Sequence, residues 1–206
     1  MPARPRPPRR AARRPSVEER MLEAMEKLLA RGERFSSVSV EHLAETAGMA
    51  RATFYLHFRD KGELVTRLLD QVRHEIVESA GMWFQKPALV EYDDLRATVR
   101  GILGVYAKHH VIINAVSQTA HQDATVAALQ REVLDELCGE SRRALEGLHA
   151  AGRANPLASP QVADMLTVGI DHCGTVYGAK LKGAKLEQLT DTWTLISWNA
   201  MFREPR

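Results

Sequence analysis

Cysteine is scarce in this chain: two residues in 206, Cys138 and Cys173, with no CxxC spacing between them. That excludes a disulfide scaffold or a thiolate metal knuckle, and leaves reduced thiols in a cytoplasmic setting as the expectation. No apolar run reaches the ~18 residues that a membrane span needs, so no membrane partner is expected. The Arg- and Pro-rich start has no apolar segment behind it and does not read as a signal peptide. Gly-rich phosphate loops, dinucleotide fingerprints, HExxH and GxSxG are all missing. The eight histidines include no pair four residues apart. No metal, cofactor or catalytic residue is therefore expected, and a small all-α enzyme has no constellation to support it. Strand alternation and internal repeats are absent too.

What the chain does have is unevenly placed charge. The net charge is only +2, yet Arg4, Arg6, Arg9, Arg10, Arg13 and Arg14 fall within the first fifteen residues with five prolines and no acid. Such a segment buries no apolar surface and reads as a disordered basic arm. A solubilising tail is one reading. The other is an arm laid along phosphates or in a minor groove, with Arg13 and Arg14 nearest the fold.

The organising stretch runs from Ser39 to Lys61, SVEHLAETAGMARATFYLHFRDK. Val40, Leu43, Ala44 and Ala47 form one helical stripe, Ser39 is placed to cap it, and Gly48 can close it in a left-handed conformation. A second helix starts at about residue 50 and stops by 59. Asp60 with Glu63 reads as a capping box for a third. Small Ala44, the Gly48 turn, and apolar Met49 and Phe54 suit a helix-turn-helix whose second helix enters a major groove. A plain helical hairpin in an all-α core shares that spacing. The groove-facing candidates are Arg51, Ala52, Thr53, Tyr55 and His57, with Ser39 and Lys61 at the flanks.

These residues also carry a family likeness. Leu43-Ala44, Ala47-Gly48, Thr53-Phe54-Tyr55, Phe58 and Lys61, in that order and spacing, resemble the DNA-binding signature of TetR-type transcriptional regulators over about residues 17–70. Within the family the chain looks most like the EthR group, from its Ser39-Val40 start, its Thr53-Phe54-Tyr55 core and its basic arm. Ala50 departs from the pattern, since many relatives have a capping Ser there. The resemblance implies contacts to the DNA backbone from Thr53, Tyr55 and Lys61, a homodimer formed by the last two helices, and a palindromic operator released when a small apolar effector enters the body.

Outside the signature every segment reads as helix. A first helix begins at Ser16, with Glu19 completing a capping box and Gly32 ending it. Further helices are expected over 61–82, 92–109, 111–121, 124–151, 159–182 and 187–202, with His109 and His110 capping a helix end. The fold class is thus all-α: a basic arm over 1–15, a three-helix helix-turn-helix domain over 16–62, and a larger ligand-binding and dimerisation domain over 63–206. Polar groups embedded in apolar helices suggest an effector cavity lined by Ile102, Tyr106, Leu134, Leu137, Thr167, Ile170, Asp171 and Trp198. Asp171 on an inward helix face needs a partner. Gly169, Gly174 and Gly178 within one helix each cost about 1 kcal/mol relative to alanine, so close helix approach is expected there. A dimer interface at Gly174, Gly178 and Trp193 is the favoured cause, and a ligand lying against the backbone is the alternative.

Read together, these features describe a dimeric, ligand-responsive repressor of the bacterial cytosol, working on the nucleoid with double-stranded DNA and a small apolar effector as partners. An architectural DNA-binding protein without a ligand is the alternative.

Overall fold

The computed structural model describes residues 15–34, 37–121 and 123–203. Arg13 and Arg14, with nearly all of the basic arm, lie outside the described residues. Within them the chain forms eight α-helices, two short 3-10 turns and one isolated bridge between Ala154 and Phe202.

The head follows its local signals. α1 (Val17–Ala30) opens with the Ser16–Glu19 capping box. The Ser39 hydroxyl accepts from the His42 N–H at the start of α2 (Val40–Thr46). Gly48 takes φ +66°, the conformation that frees glycine from a Cβ penalty, and the chain turns into α3 (Arg51–His57). Arg20 of α1 reaches across to donate to the carbonyls of Ala47 at 2.7 Å and Gly48 at 2.8 Å, so the turn is pinned to the first helix. Phe54 and Phe58 are buried against Met21, Met25, Leu28, Leu43 and Leu64.

α4 (Lys61–Gln85) continues from the head into the body and kinks at Gly81, whose φ is +38°. Asp60 caps it by accepting from the Glu63 N–H. The expected capping box is only half formed, because the Glu63 carboxylate reaches back to the Arg59 N–H at 2.8 Å and the Arg59 guanidinium at 3.0 Å. A 3-10 turn (Pro87–Leu89) leads to α5 (Tyr92–Ala120). This single long helix replaces the two expected over 92–109 and 111–121. No Gly or Pro interrupts His109-His110-Val111, and His109 is an interior residue with 1% exposure rather than a cap.

α6 (Ala124–Ala150), α7 (Pro160–Tyr177) and α8 (Ala184–Met201) complete the body, with a 3-10 turn at Gly178–Lys180. α7 ends five residues before the expected 182, and Ser159 makes no side-chain cap bond. The head's core does not stop at the head: Ile112 and Val116 of α5 and Val126 of α6 belong to the same buried cluster as Phe54 and Leu64. A second core gathers Trp83, Leu145, Leu148 and Phe202. Head and body are therefore joined by continuous packing across α4 and α5.

Candidate DNA-binding face and effector cavity

α3 buries Phe54 and turns Arg51, Ala52, Tyr55, Leu56 and His57 outward, with Thr53 half-buried. Leu56 is 82% exposed. Its position among polar neighbours was legible in the sequence, but apolar character hid it, although apolar side chains do meet the thymine methyl in major grooves. The Arg51 guanidinium lies 5.6 Å from the centre of the Tyr55 ring. A hydrogen bond to Tyr55, then the charge fields of Tyr55 and Glu41, raise its pKa further. Ser39 serves as the α2 cap at the edge of this face. Lys61 donates to the Val38 carbonyl at 3.0 Å, and partial burial lowers its pKa. It therefore ties the start of α4 to the loop before α2. Arg59, with its side chain 87% exposed, extends the cationic surface beyond α3.

In the body, an apolar cavity of about 70 Å³ lies among α4, α5, α6, α7 and α8. Ile102, Tyr106, Leu137, Thr167, Ile170 and Asp171 all line it. Leu134 instead lines an adjoining cavity of about 160 Å³, which shares Ile76, Tyr106, Leu137 and Asp171 with the first. Trp198 is on neither wall. It stacks on Phe202 with ring centres 4.1 Å apart and meets Tyr92 edge-on, so the sequence expectation for Trp198 is corrected: its half-buried ring packs against the second core. The sequence reading missed the walls from Trp83, Phe84, Thr98 and Ser141, whose facing depends on the Gly81 kink and on helix crossings.

The polar centre of the cavity is a pair. The Tyr106 hydroxyl donates to the Asp171 carboxylate at 2.6 Å. Burial raises the Asp171 pKa against the opposing effects of the Tyr106 hydrogen bond and His172. Burial, followed by the Asp171 charge, pushes Tyr106 well above its ordinary value. Nearby, the Thr167 hydroxyl donates to Ser141 Oγ at 2.8 Å.

The three glycines have their explanation inside the chain. A β-carbon on Gly169 would lie 2.5 Å from Trp193, and one on Gly174 would lie 2.3 Å from the Tyr106 ring. At Gly178 it would lie 2.9 Å from the Tyr106 carbonyl oxygen and 3.0 Å from His110 Cβ. Gly174 and Gly178 are buried, and Trp193 lines the cavity. This corrects the expectation for Gly174 and Gly178: their close approach is that of α7 to α5 of the same chain, while Gly169 meets the half-buried Trp193 of α8.

One turn along α5 from Tyr106, His109 is buried between Glu26 of α1, at 3.3 Å, and Glu75 of α4, at 3.0 Å. Burial alone would lower its pKa, but the hydrogen bonds to Glu26 and Glu75 prevail and raise it. Lys108 shares Glu75 at 2.8 Å. Among the described residues, no group of three or more His, Cys, Asp or Glu is placed to hold a metal ion, and no helix is long and apolar enough to cross a membrane.

A three-helix head with an exposed second helix-turn-helix helix, on a larger helical body, defines a DNA-binding regulator. Residues 22–68 match the family model described as bacterial regulatory proteins, tetR family, so the head carries a TetR-family DNA-binding domain. The chain's fold is shared with a TetR-family regulator from Syntrophomonas wolfei (TM-score 0.71, 19% identity, covering 89% of this chain and 94% of that one). It is likewise similar to the fatty acid degradation regulator FadR from Bacillus halodurans (TM-score 0.67, 16% identity, 90% and 96% covered). SmeT, the repressor of the Stenotrophomonas maltophilia multidrug efflux pump SmeDEF, matches with TM-score 0.61 and 15% identity over 92% of each chain. A comparison with curated proteins found no match. The narrower likeness to the EthR group rests on the sequence alone.

Proposed function

We propose that this chain is a homodimeric, ligand-responsive transcriptional repressor. Each subunit presents residues 51–58 to a major groove of a palindromic operator, and a small, mostly apolar effector entering the body cavity releases the DNA. The observation that carries this reading is the continuous packing of the DNA-facing head, through α4 and α5, onto helices that also wall a cavity. A molecule that reshapes the cavity thereby acts on elements that hold α1. The solved relatives support it: SmeT is described as a repressor and has been solved as a triclosan complex.

Dimerisation is assigned to the outer faces of α7 and α8. Met165, Val168, Val176, Leu195 and Ile196 are large, apolar and exposed there, the kind of surface that marks a protein contact. Two heads then engage half-sites about one helical turn, or a multiple of it, apart. Such a protein works in the cytosol, on the nucleoid. An architectural DNA binder without a ligand would keep the head but have no use for the cavity.

The test has two arms. Purified protein is used to select fragments of its own genome, and the retained sequences are scored for inverted repeats. Apolar compounds are then screened for release of the selected DNA. Retention of fragments without a shared palindrome would refute the operator reading, and operator binding that no compound weakens would favour the architectural one.

A further inference from the structure

The cavity walls carry a bias of charge. Trp83, Phe84, Trp193 and Tyr106 give it aromatic surface, and Thr98, Ser141, Thr167 and Ser197 give it hydroxyls. Among the described residues Asp171 is its one carboxylate, and no Lys, Arg or His lines it. The adjoining cavity adds Arg131, an exposed residue at its edge whose guanidinium donates to the Ala127 carbonyl. Among the described residues the Asp171 carboxylate accepts a single hydrogen bond, from the Tyr106 hydroxyl, with the neighbouring His172 acting on it through charge.

We propose that the effector is an apolar molecule bearing a protonated amine, which takes the Asp171 carboxylate from Tyr106 and rests its apolar body against Trp83 and Trp193. The proposal rests on the ligand-responsive reading above and names the chemical class of that ligand. An ammonium forms a charge-assisted hydrogen bond to a carboxylate and is attracted to aromatic faces. A carboxylate-bearing effector would set a second negative charge beside Asp171 at low dielectric, where repulsion is strong, and the cation that the adjoining cavity supplies, Arg131, is exposed at its edge.

Geometry links charge recognition to opening. Neither cavity alone matches the several hundred Å³ typical of a ligand site, and Tyr106 stands in the wall they share. Taking Asp171 from Tyr106 frees that ring to turn, which joins the two spaces. Tyr106 and His109 lie on the same stretch of α5, and His109 bonds Glu26 of α1. Movement at Tyr106 thus bears on the contact between body and head.

Three probes with one apolar body decide it: 4-phenylbutylamine, 4-phenylbutanol and 4-phenylbutyrate, titrated calorimetrically into the full chain. The amine is expected to bind about tenfold tighter than the alcohol, the gain typical of a hydrogen bond to a charged group, with the carboxylate weakest. Asp171→Asn should erase the amine's advantage and leave the alcohol's affinity in place. Should Asp171→Asn fail to fold, Tyr106→Phe, which keeps the charge and removes its competitor, should preserve or enlarge that advantage. Failure of the amine to bind, a carboxylate as tight as the amine, or an advantage that survives Asp171→Asn would overturn the proposal. Operator release is read separately. Asp171-dependent amine binding that leaves DNA bound supports the ligand class and refutes ligand responsiveness. Release by the alcohol or carboxylate, with the amine inert, does the reverse.

Discussion

Gly174 and the ring of Tyr106 occupy a space that admits no β-carbon: one built on Gly174 would lie 2.3 Å from Tyr106 Cγ. Gly174→Ala must push the ring aside, strain the Tyr106–Asp171 hydrogen bond and destabilise the body by about 1–3 kcal/mol, the usual cost of overpacking. Gly104 lies in the same α5 helix as Tyr106, and a β-carbon there would meet nothing within 4 Å. Gly104→Ala should instead stabilise by up to about 1 kcal/mol through helix propensity. Urea unfolding of both variants checks the contrast, and equal effects would mean that the Tyr106 contact does not govern Gly174.

His109 should make stability depend on pH. Its folded pKa is raised above the ordinary 6.5 because bonds to Glu26 and Glu75 outweigh burial, with Lys108 opposing. A group whose pKa rises on folding stabilises fully below its unfolded value and loses that contribution as pH climbs through the folded value. The gap in unfolding free energy between the native chain and His109→Gln should accordingly be widest in mild acid and shrink above pH 6.5. A gap that is flat, or that widens with rising pH, would contradict the assignment.

Arg51 and Lys61 should separate in DNA binding. Arg51→Ala is expected to relax the operator at one base pair, by about 1–3 kcal/mol. Lys61→Met should weaken binding to every sequence and reduce the salt slope. It should also cost about 0.5–1.5 kcal/mol of fold stability through the lost bond to Val38. Affinity measured on operator and random DNA across salt concentrations distinguishes the two roles. Parallel losses from both variants would refute them.

Val168→Glu combined with Leu195→Glu places charge on the exposed faces of α7 and α8 and should yield folded monomers with weak operator affinity. Gly178→Leu meets the Tyr106 carbonyl oxygen instead, and should lower the melting temperature of the body. Light scattering with circular dichroism reads both. A double-Glu variant that remains dimeric would move the interface elsewhere.

Deleting residues 1–15 removes six arginines and should flatten the dependence of DNA affinity on salt while the melting temperature holds, since phosphate neutralisation sets that slope. An unchanged slope would make the arm a bystander in binding.

The sequence by itself determined whatever depends on neighbours along the chain. The Ser16–Glu19 box, the Ser39 cap and the left-handed Gly48 all depend on neighbours within a few residues, so helical spacing and capping chemistry exposed the head in advance. Six of the cavity's lining residues, Ile102, Tyr106, Leu137, Thr167, Ile170 and Asp171, were legible from the inward faces of apolar helices. Tertiary structure alone decided the partners. Tyr106 and Asp171 are 65 residues apart, and His109 and Glu26 are 83 apart. Nothing local indicates that Gly174 faces a tyrosine of its own chain rather than a second subunit, or that Trp193 walls a cavity while Trp198 packs against a core. Local hydrogen bonding and periodicity specify a helix and its apolar face, whereas the side chain that meets that face is chosen by helix crossings such as those set by the Gly81 kink and the α7–α5 approach, which depend on packing across the whole body.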